Sequence, residues 1–312
     1  TKEAVEEAAV DYGNQVILSS KRNAYMLERV MRITKRTIWA LCTQVRKGKF
    51  EPEAFELQFS FLDNLDTVNV ELEKDARMQL QGRIDRVDIY EEPEKNRFLV
   101  KVIDYKTGHS ALDMGQIFYG LQLQLVVYLS ASMELQQKKN PDHTIEPAGV
   151  FYYNIDDPIV DKTSDVEAAI LKELRMNGLV NDDMHVSKYL DTSFMDAEGN
   201  INGSVKSDVV PIETNKEGYP TKRSSTASSR QFKEMTEYVN HKIVEIGREI
   251  LDGQAEVNPY KLGDRTACDY CAFQGICGFD VKLPGNRYHQ LKKLEKEDVF
   301  AKMECVFTKE VE

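Results

Sequence analysis

Two extended runs around one polar turn constrain this chain most. Met78-Gln-Leu-Gln-Gly-Arg-Ile-Asp-Arg-Val-Asp-Ile-Tyr90 and Arg97-Phe-Leu-Val-Lys-Val-Ile-Asp-Tyr105 are rich in β-branched and aromatic residues. Glu91-Glu-Pro-Glu-Lys-Asn96 between them is polar and holds a Pro and an Asn, as a hairpin loop should. The second run is apolar on both faces, as an interior strand is, until it ends in Asp104 and Lys106. Two positions apart, those side chains share a sheet face. A carboxylate and an ammonium there are costly unless paired or metal-bound. Asp85, on the adjacent strand, is placed to reach the same spot.

The surrounding pattern gives the architecture. Residues 1–48 carry Tyr25, Met26, Val30, Met31, Ile33, Ile38 and Leu41 at helical spacing amid Arg and Lys. Phe55–Phe59 reads as a strand, Met114–Lys139 as one long helix after a Gly-containing turn, and Ala148–Ile155 as a further strand. Helix, three strands, helix and strand predict an α/β fold with a mixed central sheet flanked by helices. The chain reads as one domain over 1–312, with its core at 50–155. Residues 191–230, rich in Ser, Thr, Gly, Asn and Lys, read as a surface loop or mobile insertion. A helix from Gln231 to Leu251, a cysteine-bearing loop segment and a charged helix over Tyr288–Met303 complete residues 231–312.

Two carboxylates and a lysine suit phosphodiester hydrolysis. Asp85, Asp104 and the backbone carbonyl of Tyr105 are candidate ligands for Mg²⁺ or Mn²⁺. Such an ion turns water into a nucleophile and neutralises phosphate charge. Lys106 is the candidate to orient water or contact phosphate. Gln124 and Tyr128, four apart, share a helical face, with Gln116 two turns earlier. They either hydrogen-bond a phosphate and fix the lysine, or form a half-buried polar pair. Arg83 and Arg86 either contact DNA phosphate or pair with Asp88. His109 reads as a surface histidine.

Five cysteines are too few for a disulfide scaffold in a chain of this length, but Cys268, Cys271 and Cys277 stand as C-x2-C-x5-C. Three close thiolates suggest an iron–sulfur cluster, with zinc as the alternative. Cys42 sits in an apolar helical pattern and Cys305 near the chain end, so a fourth ligand upstream of Thr1 is expected.

Net charge bears on partners. The 312 residues carry 41 Lys plus Arg against 52 Asp plus Glu, a net −11, which excludes a broadly basic DNA-coating protein but not local DNA contacts. No stretch approaches the ~20 apolar residues of a membrane span, and the N-terminus has no export-signal pattern. A cytoplasmic protein without membrane contact is expected. The missing initiator Met fits a part of something longer.

In combination, Gly82-Arg-Ile-Asp-Arg86, Asp104-Tyr-Lys106, Gln124-x-x-x-Tyr128 and the three-cysteine tail resemble the RecB-type nuclease domain of the PD-(D/E)xK superfamily. The form carried by AddB-type helicase/deoxyribonucleases is most similar, notably over Ala255–Cys271. The resemblance implies a restriction-endonuclease-like core with a C-terminal cysteine-rich extension. It implies Asp85 and Asp104 as metal ligands, Lys106 as catalytic lysine, and Gln124 and Tyr128 as their supporting pair. It implies Cys268, Cys271 and Cys277 as three of four [4Fe–4S] ligands, the fourth lying far upstream. It further implies a Mg²⁺-dependent DNA exonuclease whose partner is the helicase–nuclease AddA, the two processing double-strand break ends for recombinational repair. A stand-alone CRISPR-associated iron–sulfur exonuclease and a non-catalytic DNA- or partner-binding module are the alternatives. The family's early metal-binding histidine has no match before His109.

Overall fold

The hairpin and its neighbours form the middle of a mixed sheet in the computed structural model, which describes residues 2–12, 19–59, 65–161 and 165–308. In chain order the first elements are α1 (Lys2–Asp11), α2 (Lys21–Lys47), β1 (Glu51–Gln58), β2 (Asn69–Glu73) and β3 (Ala76–Gln79). Next come β4 (Arg83–Glu92), β5 (Arg97–Lys106), α3 (Met114–Phe118), α4 (Gln124–Lys139) and β6 (Thr144–Asn154). Then follow α5 (Val166–Glu173), β7 (Asn177–Asn181), α6 (Met184–Ser187), β8 (Thr226–Ala227) and α7 (Ser229–Leu251). The last are β9 (Tyr260–Leu262), β10 (Arg265–Thr266), α8 (Gln274–Cys277), β11 (His289–Leu291) and α9 (Lys296–Thr308). Among the described residues, no helix is long and apolar enough to cross a membrane.

Residues 1–68, 80–112 and 124–233 make one compact unit. Its sheet runs β1-β4-β5-β6-β7-β8. The β1/β4, β4/β5 and β6/β7 pairs are antiparallel, and β5/β6 and β7/β8 are parallel. The sheet is mixed and helix-flanked, as expected of α/β. The β4–β5 turn is closed by a 3₁₀ turn at Pro93–Lys95 and by Asn96 at φ 49°, a left-handed conformation that asparagine tolerates. Parallel β5 and β6 need a crossover, and α4 supplies it, packing on both.

Arg97 to Asp104 of β5 are all buried. Leu99 and Ile103 on one face of β5 pack with Phe151, Tyr153 and Val180. The same cluster takes Phe194, Val209, Val210 and Ile212 from within 191–230. Leu125, Val126 and Leu129 of α4 are fully buried. Helix α2 starts at Ser20, whose Oγ accepts the Asn23 N–H at 3.2 Å. Residues 13–18 of the helical stretch expected at the N-terminus lie outside the described residues.

Residues 69–79, 113–123 and 234–312 make the second unit. Here β2 pairs with β3, and β9 pairs with β10 and β11. Helix α3 packs against α9. The Tyr238 hydroxyl donates to the Phe118 carbonyl (2.7 Å), and its ring stacks on Phe118 at 5.4 Å between centroids.

Several boundaries differ from expectation: β1 starts at Glu51 rather than Phe55, and β6 at Thr144 rather than Ala148. The run from Met78 to Tyr90 is two strands, since residues 80–82 leave the extended ladder around Gly82. The helix expected over Met114–Lys139 is two helices, broken where Gly120 takes φ +78°, a conformation glycine adopts freely. The terminal helix starts at Lys296 rather than Tyr288, because His289–Leu291 instead pairs with β9.

Candidate active site

The site is built where β4 and β5 part. Their ladder runs to Arg86 opposite Ile103, and the next residues opposite one another are Asp85 and Asp104. There the Asp85 side chain replaces a ladder carbonyl: the Tyr105 N–H donates to Asp85 Oδ2 at 2.8 Å. This ties one acid to the backbone beside the other. Alternation places Asp85, Asp104 and Lys106 on one sheet face, and Ile84, Arg86, Ile103 and Tyr105 on the other.

Asp104 is 2% exposed. Its Oδ2 lies 2.5 Å from Nζ of Lys106, yet no well-directed hydrogen bond reaches that oxygen. Burial pushes the Asp104 carboxyl up, and the nearby Asp85 charge adds to this against the pull of Lys106. A buried, under-satisfied carboxylate beside a second acid is a position that gains from a cation.

Lys106 is held from several sides. Its Nζ donates to Oε1 of Gln124 at 3.1 Å, and Nε2 of Gln124 donates to the Tyr128 hydroxyl at 2.8 Å. The Phe59 ring meets the Tyr128 ring edge-on at 5.7 Å, which fixes that phenol. Helix α4 begins at Gln124, so one turn of one helix presents both groups. Tyr152, opposite Asp104 in the parallel β6 register, lies with its ring 5.5 Å from Nζ of Lys106. Burial and the charges of Asp104 and Tyr128 push the Tyr152 phenol up to about 12, so its hydroxyl stays protonated at neutral pH.

Asp85, Asp104, Tyr105, Lys106, Gln124 and Tyr128 are thus gathered in one place. Gln116 belongs to the second unit, where its Nε2 donates to Asp113 Oδ2 at 3.1 Å. Arg83 pairs with Glu56 at 2.6 Å on the surface. His109 is exposed, 3.9 Å from Asp156. Tyr152 escaped the sequence reading, because only the β5/β6 register reveals it.

Arg86 resolves between the two readings left open for it. It is 4% exposed, its Nε and Nη2 donate to both oxygens of Asp88 (2.5 and 2.7 Å), and its Nη1 donates to the Tyr105 hydroxyl at 3.4 Å. Lys101 joins Asp88 at 2.8 Å. Burial pushes Asp88 up, but Lys101 and Arg86 overcome this and hold it below the usual carboxylate range. This buried cluster lies on the sheet face opposite the two acids and braces the strand ends from behind.

Two hard carboxylate oxygens fit Mg²⁺ or Mn²⁺, which bind through one or two carboxylates and keep several waters. Among the described residues, no three Cys, His, Asp or Glu groups converge to hold one ion. The cysteines are free thiols, Cys268 and Cys271 half-buried and Cys277 exposed. The Cys271 N–H donates to the Cys268 carbonyl at 3.3 Å, and the Phe279 N–H donates to Cys277 Sγ at 3.5 Å. Thiols of this kind suit an iron–sulfur group by donor type.

Comparison with known proteins agrees with this geometry. The PD-(D/E)XK nuclease superfamily pattern matches residues 1–278. The chain is similar to the ATP-dependent helicase/deoxyribonuclease B subunit of Lachnoclostridium phytofermentans, 48% identical over 95% of the chain and 25% of that protein. It is also similar to the same protein from Clostridioides difficile, 36% identical over 96% of the chain and 26% of that protein, and from Alkaliphilus oremlandii, 35% identical over 97% of the chain and 26% of that protein. The chain spans about a quarter of the length of these relatives. With a family match over most of its length and two acids and a lysine gathered at one strand end, the chain belongs to the PD-(D/E)XK nuclease superfamily.

Proposed function

We propose that this chain is the nuclease module of an AddB-type helicase–deoxyribonuclease, hydrolysing DNA phosphodiester bonds with Mg²⁺ or Mn²⁺. The observation that carries the reading is the buried, under-satisfied Asp104 carboxylate beside Asp85 and Lys106. Asp85, Asp104 and the Tyr105 carbonyl would hold the ion. When bound, it supplies a nucleophilic water near neutral pH and charge neutralisation at the phosphate. Lys106 holds the phosphate or the attacking water in line, Gln124 fixes the direction of its ammonium, and Tyr128 fixes Gln124. Tyr152 closes one side of the lysine and excludes water there.

Cys268, Cys271 and Cys277 are proposed as three ligands of a [4Fe–4S] cluster within a C-terminal cysteine-rich extension, the fourth ligand coming from elsewhere in a larger protein. In that setting the partner is the helicase–nuclease AddA, and the task is resection of double-strand break ends.

The test is linear DNA cleavage by the full AddB-type protein in complex with an AddA whose own nuclease centre has been inactivated. Asp104→Asn and Lys106→Ala should each remove Mg²⁺-dependent cleavage while ATP-driven unwinding continues. Undiminished cleavage by either variant would refute the assignment.

A further inference from the structure

Helix α2 departs from the charge of the chain that carries it. The chain is net −11, yet the 27 residues of α2 hold eight cations and a single acid, Glu28. At 3.6 residues per turn, Lys21, Arg22, Arg29, Arg32, Lys35, Arg36, Arg46 and Lys47 all fall within an arc of about 140°. Leu27, Val30, Thr34 and Ile38 on the opposite side line a groove with α1, whose first residue, Lys2, adds a further cation beside Arg32 and Lys35. Eight cations stand against Glu28, against Asp157 paired with Arg32 and Arg36, and against Asp208 paired with Lys47, leaving five net positive charges. The stripe runs for about 40 Å at 1.5 Å per residue.

Trp39, the only tryptophan of the chain, falls within the same arc. It is half-buried against Ala40, Ile170, Leu171 and Leu174, and lines a cavity of about 670 Å³ with Lys2, Glu28, Arg32, Lys35, Arg36 and Glu167. Aromatic faces among cations are how proteins hold unpaired nucleotides: the base stacks while the phosphates meet the charges.

The stripe is tethered to the strand end that carries Lys106. The Ile155 N–H donates to the Lys106 carbonyl at 2.7 Å. Two residues on, Asp157 accepts from Nε of Arg32 at 2.6 Å and from Nη1 of Arg36. Two residues of chain span at most ~7 Å. The middle of the stripe therefore sits beside the exit of β5 and β6.

We propose that the cationic face of α2 is a binding track for single-stranded DNA, with one unpaired base stacked on Trp39 and its phosphates on Lys35 and Arg36, feeding the strand to Lys106. The track deepens the nuclease reading and rests on it for the identity of its ligand.

The test uses the 312-residue chain and fluorescein-labelled oligo(dT) in EDTA, where binding is read without cleavage. Oligo(dT) should quench the Trp39 emission and raise the label's anisotropy. Arg29→Glu with Lys35→Glu, both exposed positions, should weaken binding at least tenfold. It should also flatten the log–log salt dependence by about 1.4, at roughly 0.7 per phosphate contact on a single strand. Lys216→Glu, exposed and off the stripe, should leave affinity within twofold. Unchanged affinity and salt slope in the double variant, binding without Trp39 quenching, or preference for phosphatidylserine vesicles over oligo(dT) would each overturn the track. The two readings fail separately. Cleavage with Mg²⁺ but no effect of the double variant sinks the track alone, whereas stripe-dependent binding with no cleavage by the full AddB-type protein sinks the nuclease reading alone.

Discussion

At Lys106 the structure states a specific chemical dependency. Its ammonium takes its direction from Gln124, and Gln124 takes its own from the Tyr128 phenol. Tyr128→Phe keeps the ring on Phe59 and removes only the hydroxyl. It should lower kcat about 10- to 100-fold through a misdirected lysine, with KM changed less than about threefold. Single-turnover cleavage against DNA titration separates the two constants, and a KM effect alone would place Tyr128 in binding instead. Behind the same strands, Asp88→Asn would leave the buried Arg86 and Lys101 without their counter-charge. Breaking a buried pair from one side costs about 3–5 kcal/mol, so urea unfolding should lose that much. Replacing all three by apolar residues of similar size should recover most of it. The acids and the lysine were legible in the sequence because a strand alternates and charge at an apolar strand end needs a partner. The Arg86–Asp88–Lys101 cluster was only half legible. Arg86 and Asp88 are two apart on one strand, but Lys101 joins them through a register that no local pattern states.

Among the elements, the hairpin was the most readable, since Pro93 and Asn96 occupy the positions its turn requires. The break between α3 and α4 was not, because apolar spacing continues through Gly120 and only its positive φ ends the helix. Phe194 enters the core from a single 3₁₀ turn and Val209, Val210 and Ile212 from irregular backbone, where no period marks them. Helix α4 also carries a pH-sensitive clasp. Glu134 accepts the N–H groups of Asp66 and Thr67 at 2.8 and 3.0 Å and pairs with Lys138 at 2.9 Å. Burial pushes this carboxyl up, but the Thr67 N–H, Lys138 and the Asp66 N–H outweigh it and hold the group below its ordinary 4.5. The folded state therefore binds the proton less readily than the unfolded chain. The clasp's stability is fully present above about pH 5 and is lost as pH falls below 4.5 through the folded-state value. Glu134→Gln should flatten the urea midpoint between about pH 5 and pH 3. An unaltered pH profile would show that the clasp carries no linkage.

For the molecule as a whole, burial is unevenly shared. Strands β5 and β6 of the first unit are buried on both faces, whereas from Arg248 to Asp298 no residue is buried. Tyr270, Phe273, Ile276, Val281 and Leu283 stand exposed in that stretch, around Cys268, Cys271 and Cys277. A segment that removes so little apolar surface from water cannot offset its ordering entropy by packing, at roughly 1–2 kcal/mol per residue. Short segments in this position are stapled by a metal group, by disulfides or by another surface, and the three thiols here are free. An iron–sulfur cluster would supply the staple, so its loss should loosen this segment while the sheet persists. In the full AddB-type protein, replacing Cys268, Cys271 and Cys277 by Ser should abolish bound iron and its visible absorbance. Limited proteolysis should then cut between residues 252 and 298, while a fragment holding β4 to β6 survives. Because Asp85, Asp104 and Lys106 belong to the other unit, that surviving sheet should keep its free energy of urea unfolding within about 0.5 kcal/mol. Wild-type protein without iron, or a triple variant as protease-resistant as wild type, would mean that another surface covers the segment and that the thiols are not its staple.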